Sequence, residues 1–196
     1  VRQVGDIGRM VDEFSAFARM PKPTKERSDL RSILKDAAFL REISATDTKF
    51  TTELGDVPLE GMFDARMLGQ AFGNLIKNAT EAIEAIDGEK RPGKILVRAS
   101  FDEANARFVA DIIDNGRGLP VENRHRILEP YMTMRDKGTG LGLAIVKKII
   151  EEHGGYLELH DAPSDFDHGH GAMIRVLLPY VEAAGSENNK EAAYGV

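Results

Sequence analysis

Two asparagines, Asn74 and Asn78, stand four apart in the segment NLIKNATEAI, so on a helix their amides project from one face. Leu75, Ile76, Ala79, Ala82 and Ile83 fill the rest of the segment and make this helix largely buried. Asparagine forms helix poorly, and buried amides without partners cost stability. A hard Mg²⁺ ion accepts an amide oxygen, usually beside phosphates and waters. Capping of neighbouring loops, or a bond between the two amides, would satisfy them as well. Asp114 ends an apolar strand in DNGRGLP, followed by Gly116 and Gly118. A carboxylate at a strand end, with glycines clearing the space beside it, can accept from an exocyclic amine such as that of adenine. The same composition also builds an Asx turn. Gly138, Gly140 and Gly142 run into the apolar-periodic helix of GTGLGLAIVKKIIEEH. Glycine lets backbone approach a ligand closely, and a helix start offers free N–H groups and partial positive charge to a phosphate. A tight turn with close packing gives the same pattern.

The elements that must hold these residues are helices interleaved with hairpins. Val4, Ile7, Val11, Phe14 and Ala18 form a seam on a helix over 1–19, which Met20-Pro21-Lys22-Pro23 stops. Ser28 or Asp29 caps a helix to about Ile43, and Asp64 caps a long one to about Ile86. Lys49–Leu54 and Leu59–Phe63 read as a strand pair around Gly55-Asp56, and Gly88–Gly93 as a turn. Ile95–Phe101 and Phe108–Ile113 read as a hairpin around 102–105. Gly116–Lys137 is a long polar connection, lid-like in length, with a short helix near Val121–Ile127. A helix over Leu141–His153 ends at Gly154-Gly155, and Tyr156–His160 and Met173–Leu178 are the last strands. His153, at that helix end, suits the imidazolium form through the helix dipole. The pattern predicts a two-layer α+β sandwich and not a doubly wound sheet.

Composition narrows the class. The chain has 196 residues, 42% hydrophobic and 30% charged, which suits one sizeable domain with an appendage. A net charge of -6 argues against a nucleic-acid partner. The absence of cysteine excludes disulfides and thiolate metal sites. No apolar run approaches the ~20 residues of a membrane helix, so the piece has cytoplasmic character. It starts on Val1 inside a helical pattern, which reads as a fragment whose longer parent can be anchored in the inner membrane. Residues 182–196 read as a disordered tail. No G-x-x-x-x-G-K-S/T loop, and no eukaryotic-kinase H-R-D or D-F-G set, is present.

Taken together and in order, NLIKNATEAI, DNGRGLP, LEPYMTMRDKGTGLGL and GHGAMIRVLLP resemble the asparagine box, first glycine box, phenylalanine-box region, second glycine box and terminal strand of bacterial sensor histidine kinases. These belong to the ATPase superfamily that includes gyrase and MutL. MVDEFSAFARMPKP, Met10 to Pro23, resembles the end of the second dimerization helix in nitrogen-regulation sensors of the NtrY/NtrB type. The resemblance implies a mixed sheet covered on one face by helices, the Bergerat-type ATP-binding fold. It divides the chain into the end of a dimerization helix with its linker (1–23), an ATP-binding catalytic domain (24–181) and the tail. It implies ATP and Mg²⁺ as ligands, with Asn78 on the metal and Asn74 facing the phosphates. Asp114 would read the adenine amine, with Gly116, Gly118 and Leu119 shaping the base pocket. Gly138, Thr139, Gly140, Leu141, Gly142 and Leu143 would cradle phosphates. Arg135 and Lys137 would be lid cations that offset charge on the transferred group, and Tyr131 and Thr133 lid residues. The implied activity is transfer of the γ-phosphoryl group to a histidine on a helical dimerization domain, for relay to a response-regulator aspartate, in a homodimeric parent.

Four departures stand out. Leu128 replaces the usual phenylalanine, Ala172 replaces a small hydroxyl residue, and Glu81 stands where many members carry a basic residue. None of His125, His153, His160, His168 and His170 has the acidic helical context of an acceptor histidine. His168 and His170 alone make a poor metal site. Hydrolysing relatives carry a glutamate one turn before the magnesium asparagine as base for water. Here that position is Asn74, which favours transfer over hydrolysis.

Overall fold

Helices begin where a side chain can cap them. The structure is a computed structural model, and it describes residues 15, 19–43, 45, 47–86, 91–132 and 140–181. Asp29 accepts the Arg31 N–H and opens α1 (Leu30–Glu42), which buries Leu30, Ile33, Leu34, Ala37 and Ala38. Asp64 accepts the Met67 N–H at 2.9 Å and opens α2 (Ala65–Glu84). Met67, Leu68, Phe72, Leu75 and Ile76 of α2 are fully buried, each contributing about 1.5–3 kcal/mol of apolar transfer. α3 (Gly142–Glu152) follows Leu141, which has no side-chain oxygen to cap it. Gly154, at φ +79°, closes α3 in the left-handed conformation that favours glycine. The two expected caps and the three helices are present within two residues of their sequence limits.

The strands are β1 (Glu26–Asp29), β2 (Thr48–Glu53), β3 (Glu60–Phe63), β4 (Gly93–Asp102), β5 (Arg107–Asp114), β6 (Tyr156–Asp161) and β7 (Ala172–Pro179). Five form a mixed sheet in the order β2-β4-β5-β7-β6, with β2 parallel to β4 and every other pair antiparallel. β4 and β5 make the expected hairpin. The expected pairing of 49–54 with 59–63 does not occur: β3 pairs with β1, and β2 lies beside β4. Both backbone groups of Leu59 are taken at the start of α1. Its N–H donates to Asp29 Oδ1 at 3.0 Å, and its carbonyl accepts the Leu30 N–H at 3.0 Å. The chain therefore turns beneath α1, and β3 with α2 becomes the crossover that a parallel β2–β4 pair requires. The short helix expected near 121–127 is a 3-10 turn at Arg124–Leu128. The expected helix over 1–19, the 88–90 part of the expected turn at Gly88–Gly93 and the tail lie wholly or largely outside the described residues, and Gly93 is the first residue of β4.

Helices cover one face of the sheet. Phe108, Ala110 and Ile112 of β5 alternate into the core with Ile95 and Val97 of β4 and Ile174, Val176 and Leu178 of β7. The opposite face carries a registered row of side chains, one from each strand: Glu53, Arg98, Asp111, Arg175 and Glu158. At its centre Asp111 is 2% exposed and accepts from Arg98 Nε at 2.9 Å and from Arg175 Nε and Nη2 at 2.7 and 3.0 Å. Burial pushes the Asp111 carboxyl up, but its bonds to the two arginines outweigh this and hold it below the ordinary range.

Candidate nucleotide site

Asp114 sits at the last position of β5, paired with Ile95 of β4 on one side and Ala172 of β7 on the other. It is 6% exposed. Its Oδ1 accepts the Gly116 N–H at 2.8 Å, the one donor it has among the described residues. Burial pushes its carboxyl up to about 6, against the lowering effect of that bond. The glycines around it allow close backbone packing. A Cβ on Gly116 would stand 2.7 Å from the Ala82 carbonyl carbon of α2. Gly171, at φ +105°, passes so close that a Cβ would stand 1.8 Å from the Asp114 carbonyl oxygen. Gly118, at φ +78°, faces the Gly171 carbonyl. Asn115 is buried as a brace. Its Oδ1 accepts the Lys94 N–H at 2.8 Å, and its Nδ2 donates to the Pro92 carbonyl and to Asp167 Oδ2, both at 3.0 Å.

The glycine loop is fastened to α2, since the Arg117 N–H donates to the Ala82 carbonyl at 3.2 Å. Asn78 lies one turn earlier on α2 and Asn74 two turns earlier, both half-buried and each followed by a buried residue, Ala79 and Leu75. Glu81, at the position of the expected basic residue, pairs at 3.8 Å with Lys77 of the preceding turn. An amide oxygen on a half-open helix face is a hard donor that suits Mg²⁺ beside phosphate.

The second glycine segment starts where the long connection closes. The Tyr131 N–H donates to the Gly140 carbonyl at 3.1 Å, and a Cβ on Gly140 would stand 2.6 Å from the Tyr131 carbonyl carbon. The two ends of segment 132–139 are thereby pinned together. Leu141 is fully buried and anchors the start of α3, while Gly142 and Leu143 are its half-buried first residues. Leu119 is half-buried and Tyr131 exposed. Thr133, Arg135, Lys137, Gly138 and Thr139 lie outside the described residues. The sequence reading missed Gly171. The G-H-G before the last strand was the signal available for it.

His153 departs from expectation. It is buried at the end of α3, where its Nδ1–H donates to the Ile149 carbonyl at 2.7 Å and its Nε2 accepts the Asp64 N–H at 3.1 Å. Burial lowers its pKa, so the ring is the neutral Nδ1–H tautomer and not the expected imidazolium.

Residues 63–182 match the family described as histidine kinase-, DNA gyrase B-, and HSP90-like ATPase. Nitrogen regulation protein NtrY of Azorhizobium caulinodans is 52% identical over 178 residues, covering 91% of this chain and 22% of that protein. Sensory histidine kinase/phosphatase NtrB of Rhodobacter capsulatus is 39% identical, covering 88% of this chain and 49% of that one. Among solved structures, mycobacterial sensor histidine kinase MprB superposes with a TM-score of 0.68 at 26% identity, covering 82% of this chain and all of that one. Full-length ShkA in complex with AMPPNP superposes at 0.74 and 26% identity, covering 94% of this chain and 38% of that one. The chain thus spans from about a fifth to about a half of the length of these curated relatives.

Proposed function

The chain belongs to the histidine kinase-, DNA gyrase B- and HSP90-like ATPase family, and from that premise we propose that it is the ATP-binding catalytic domain of a sensor histidine kinase of the NtrY/NtrB type. The observation that carries the reading is Asp114, a buried carboxylate at a strand end with one donor among the described residues and two closely packed glycines, Gly116 and Gly171, against it. As a carboxylate it accepts from the exocyclic amine of adenine and rejects the keto edge of guanine. Gly116, Gly118 and Leu119 shape the base pocket. Asn78 holds Mg²⁺, which supplies neutralisation of phosphate charge, and Asn74 faces the phosphates. Gly138, Thr139, Gly140, Leu141, Gly142 and Leu143 offer backbone N–H groups to the phosphates at the start of α3. Arg135 and Lys137 offset charge on the transferred group, and Tyr131 and Thr133 belong to the lid.

The bond between the γ-phosphorus of ATP and its bridging oxygen breaks, ADP departs, and the phosphoryl group bonds to an imidazole nitrogen of a histidine on a helical dimerization domain, then passes to a response-regulator aspartate. Asn74 is a poor proton acceptor, so water is not activated and transfer prevails over hydrolysis. Residues 1–23 end the dimerization helix and linker, 24–181 form the catalytic domain and 182–196 a tail. The domain is cytoplasmic, and its homodimeric parent is held at the inner membrane. Among the described residues no helix is long and apolar enough to cross a membrane.

Calorimetric titration with Mg-ATP and Mg-GTP tests the reading. ATP is expected to bind in the micromolar to millimolar range and GTP more weakly. Equal curves would remove the base-reading role of Asp114. Labelled ATP should then phosphorylate a supplied helical domain that carries an acceptor histidine, while the chain alone gains no phosphohistidine.

A further inference from the structure

Asp64 is a junction of three hydrogen-bonded segments. Its Oδ1 caps α2 by accepting the Met67 N–H, and its Oδ2 accepts the Thr24 N–H at 3.0 Å. Its own N–H donates to His153 Nε2, whose ring in turn holds the Ile149 carbonyl of α3. Thr24 follows the Met20-Pro21-Lys22-Pro23 linker and precedes β1, which is registered against β3 immediately before Asp64. One cluster therefore ties the entering linker to α2, which carries Asn74 and Asn78, and to α3, which opens with Gly142 and Leu143.

We propose that His153 is a positioning residue that couples the linker to the two site-bearing helices, clamping Thr24 while its imidazole is neutral and releasing it when the ring is protonated. The inference rests on the nucleotide-domain reading for the meaning of those helices, but its chemistry is independent of nucleotide. A proton on Nε2 would face the Asp64 N–H, donor against donor. The imidazolium is then drawn to the nearest anion, the Asp64 carboxylate, which gives up Thr24 as it turns. Charged groups on the linker side, α2 and α3 bear on the ring. Lys25 of the linker disfavours the proton, whereas Asp64 and Glu152 favour it. Arg66 of α2 competes for the Asp64 carboxylate at 3.9 Å. Burial keeps the neutral ring dominant at neutral pH, so release comes as pH falls below the ordinary histidine range.

The test is a ¹H–¹⁵N NMR titration of the full chain without nucleotide, with amide exchange corrected for its intrinsic pH dependence. In the unaltered chain, the Thr24, Asp64 and Met67 amides should shift with the His153 ring at one common midpoint. Thr24 exchange should speed about tenfold across it, the factor of one hydrogen bond to a charged acceptor. His153→Gln keeps an acceptor for the Asp64 N–H but cannot be protonated. It should abolish the Thr24 transition and leave that of Gly116, which reports Asp114. Thr24→Pro removes the N–H donor and leaves the His153 ring and the Asp64 carboxylate in place. By reciprocity it should raise the His153 midpoint, and this arm stands even if His153→Gln fails to fold. A Thr24 amide indifferent to ring titration, or a His153 midpoint unmoved by Thr24→Pro, would overturn the proposal. Mg-ATP binding at pH 7.5 is expected to be equal in all three proteins. Loss of binding in all of them would count against the nucleotide reading and leave the clamp intact.

Discussion

Replacing Asp114 with asparagine should make the empty protein more stable and a worse nucleotide binder. The carboxyl titrates at about 6 in the folded chain against 3.8 for an ordinary aspartate. The folded state thus holds a proton more tightly than the unfolded state. Stability linked to this group is complete below 3.8 and is lost as pH rises through about 6. The gap, at about 1.4 kcal/mol per tenfold change in proton affinity, amounts to about 3 kcal/mol at pH 8 and about 1 kcal/mol at pH 4.5. Asparagine carries no charge, and its oxygen can still accept the Gly116 N–H. Asp114→Asn should therefore gain about 1–3 kcal/mol at pH 8, and the advantage should shrink by about 2 kcal/mol at pH 4.5. Urea unfolding of both proteins without nucleotide, at the two pH values, measures this. A variant less stable at both pH values, or an advantage independent of pH, would refute the idea that Asp114 is held ionised against its surroundings.

The same titration predicts that Mg-ATP affinity falls about tenfold between pH 7 and pH 5, as the ionised fraction drops from ~0.9 to ~0.1. A flat profile measured by calorimetry would contradict it. Asn78→Ala should abolish the gain in ATP affinity on adding Mg²⁺. An undiminished gain would place the ion elsewhere. Replacing Arg135 and Lys137 with alanine should slow phosphoryl transfer more than it weakens ATP binding, as single-turnover kinetics beside equilibrium titration can show. Gly171→Ala forces a Cβ within 1.8 Å of the Asp114 carbonyl oxygen. It should cost more than about 2 kcal/mol in urea unfolding and abolish ATP binding together. Near-normal stability with intact binding would show that the β7 entry can yield.

What was legible in the sequence was local. Asp64 announces α2 because a cap and an apolar period sit within a few residues of each other, and 95–113 announces a hairpin because both strands and the turn are contiguous. β1 was not legible, since Glu26–Asp29 is four polar residues whose only reason to be extended is β3. The parallel β2–β4 pair was hidden for the same reason: its partners are separated by a whole helix. Asp114 could be recognised as a carboxylate among glycines, but its raised titration comes from burial by strands distant in the chain. His153 misled because the helix-end argument counts the dipole and omits the burial and the Asp64 N–H that fix the neutral ring.

The row of Glu53, Arg98, Asp111, Arg175 and Glu158 has a consequence for how partners find the molecule. Signs alternate from strand to strand across four steps of about 4.8 Å, so positive and negative potentials largely offset one another within about a Debye length of the surface. Beyond that distance the row itself adds little to the field that a diffusing protein meets. Most of the chain's net charge of -6 lies outside this row, and any long-range guidance of a partner falls to those groups. The row thus acts at short range, holding neighbouring strands together, and carries little charge to a distant partner.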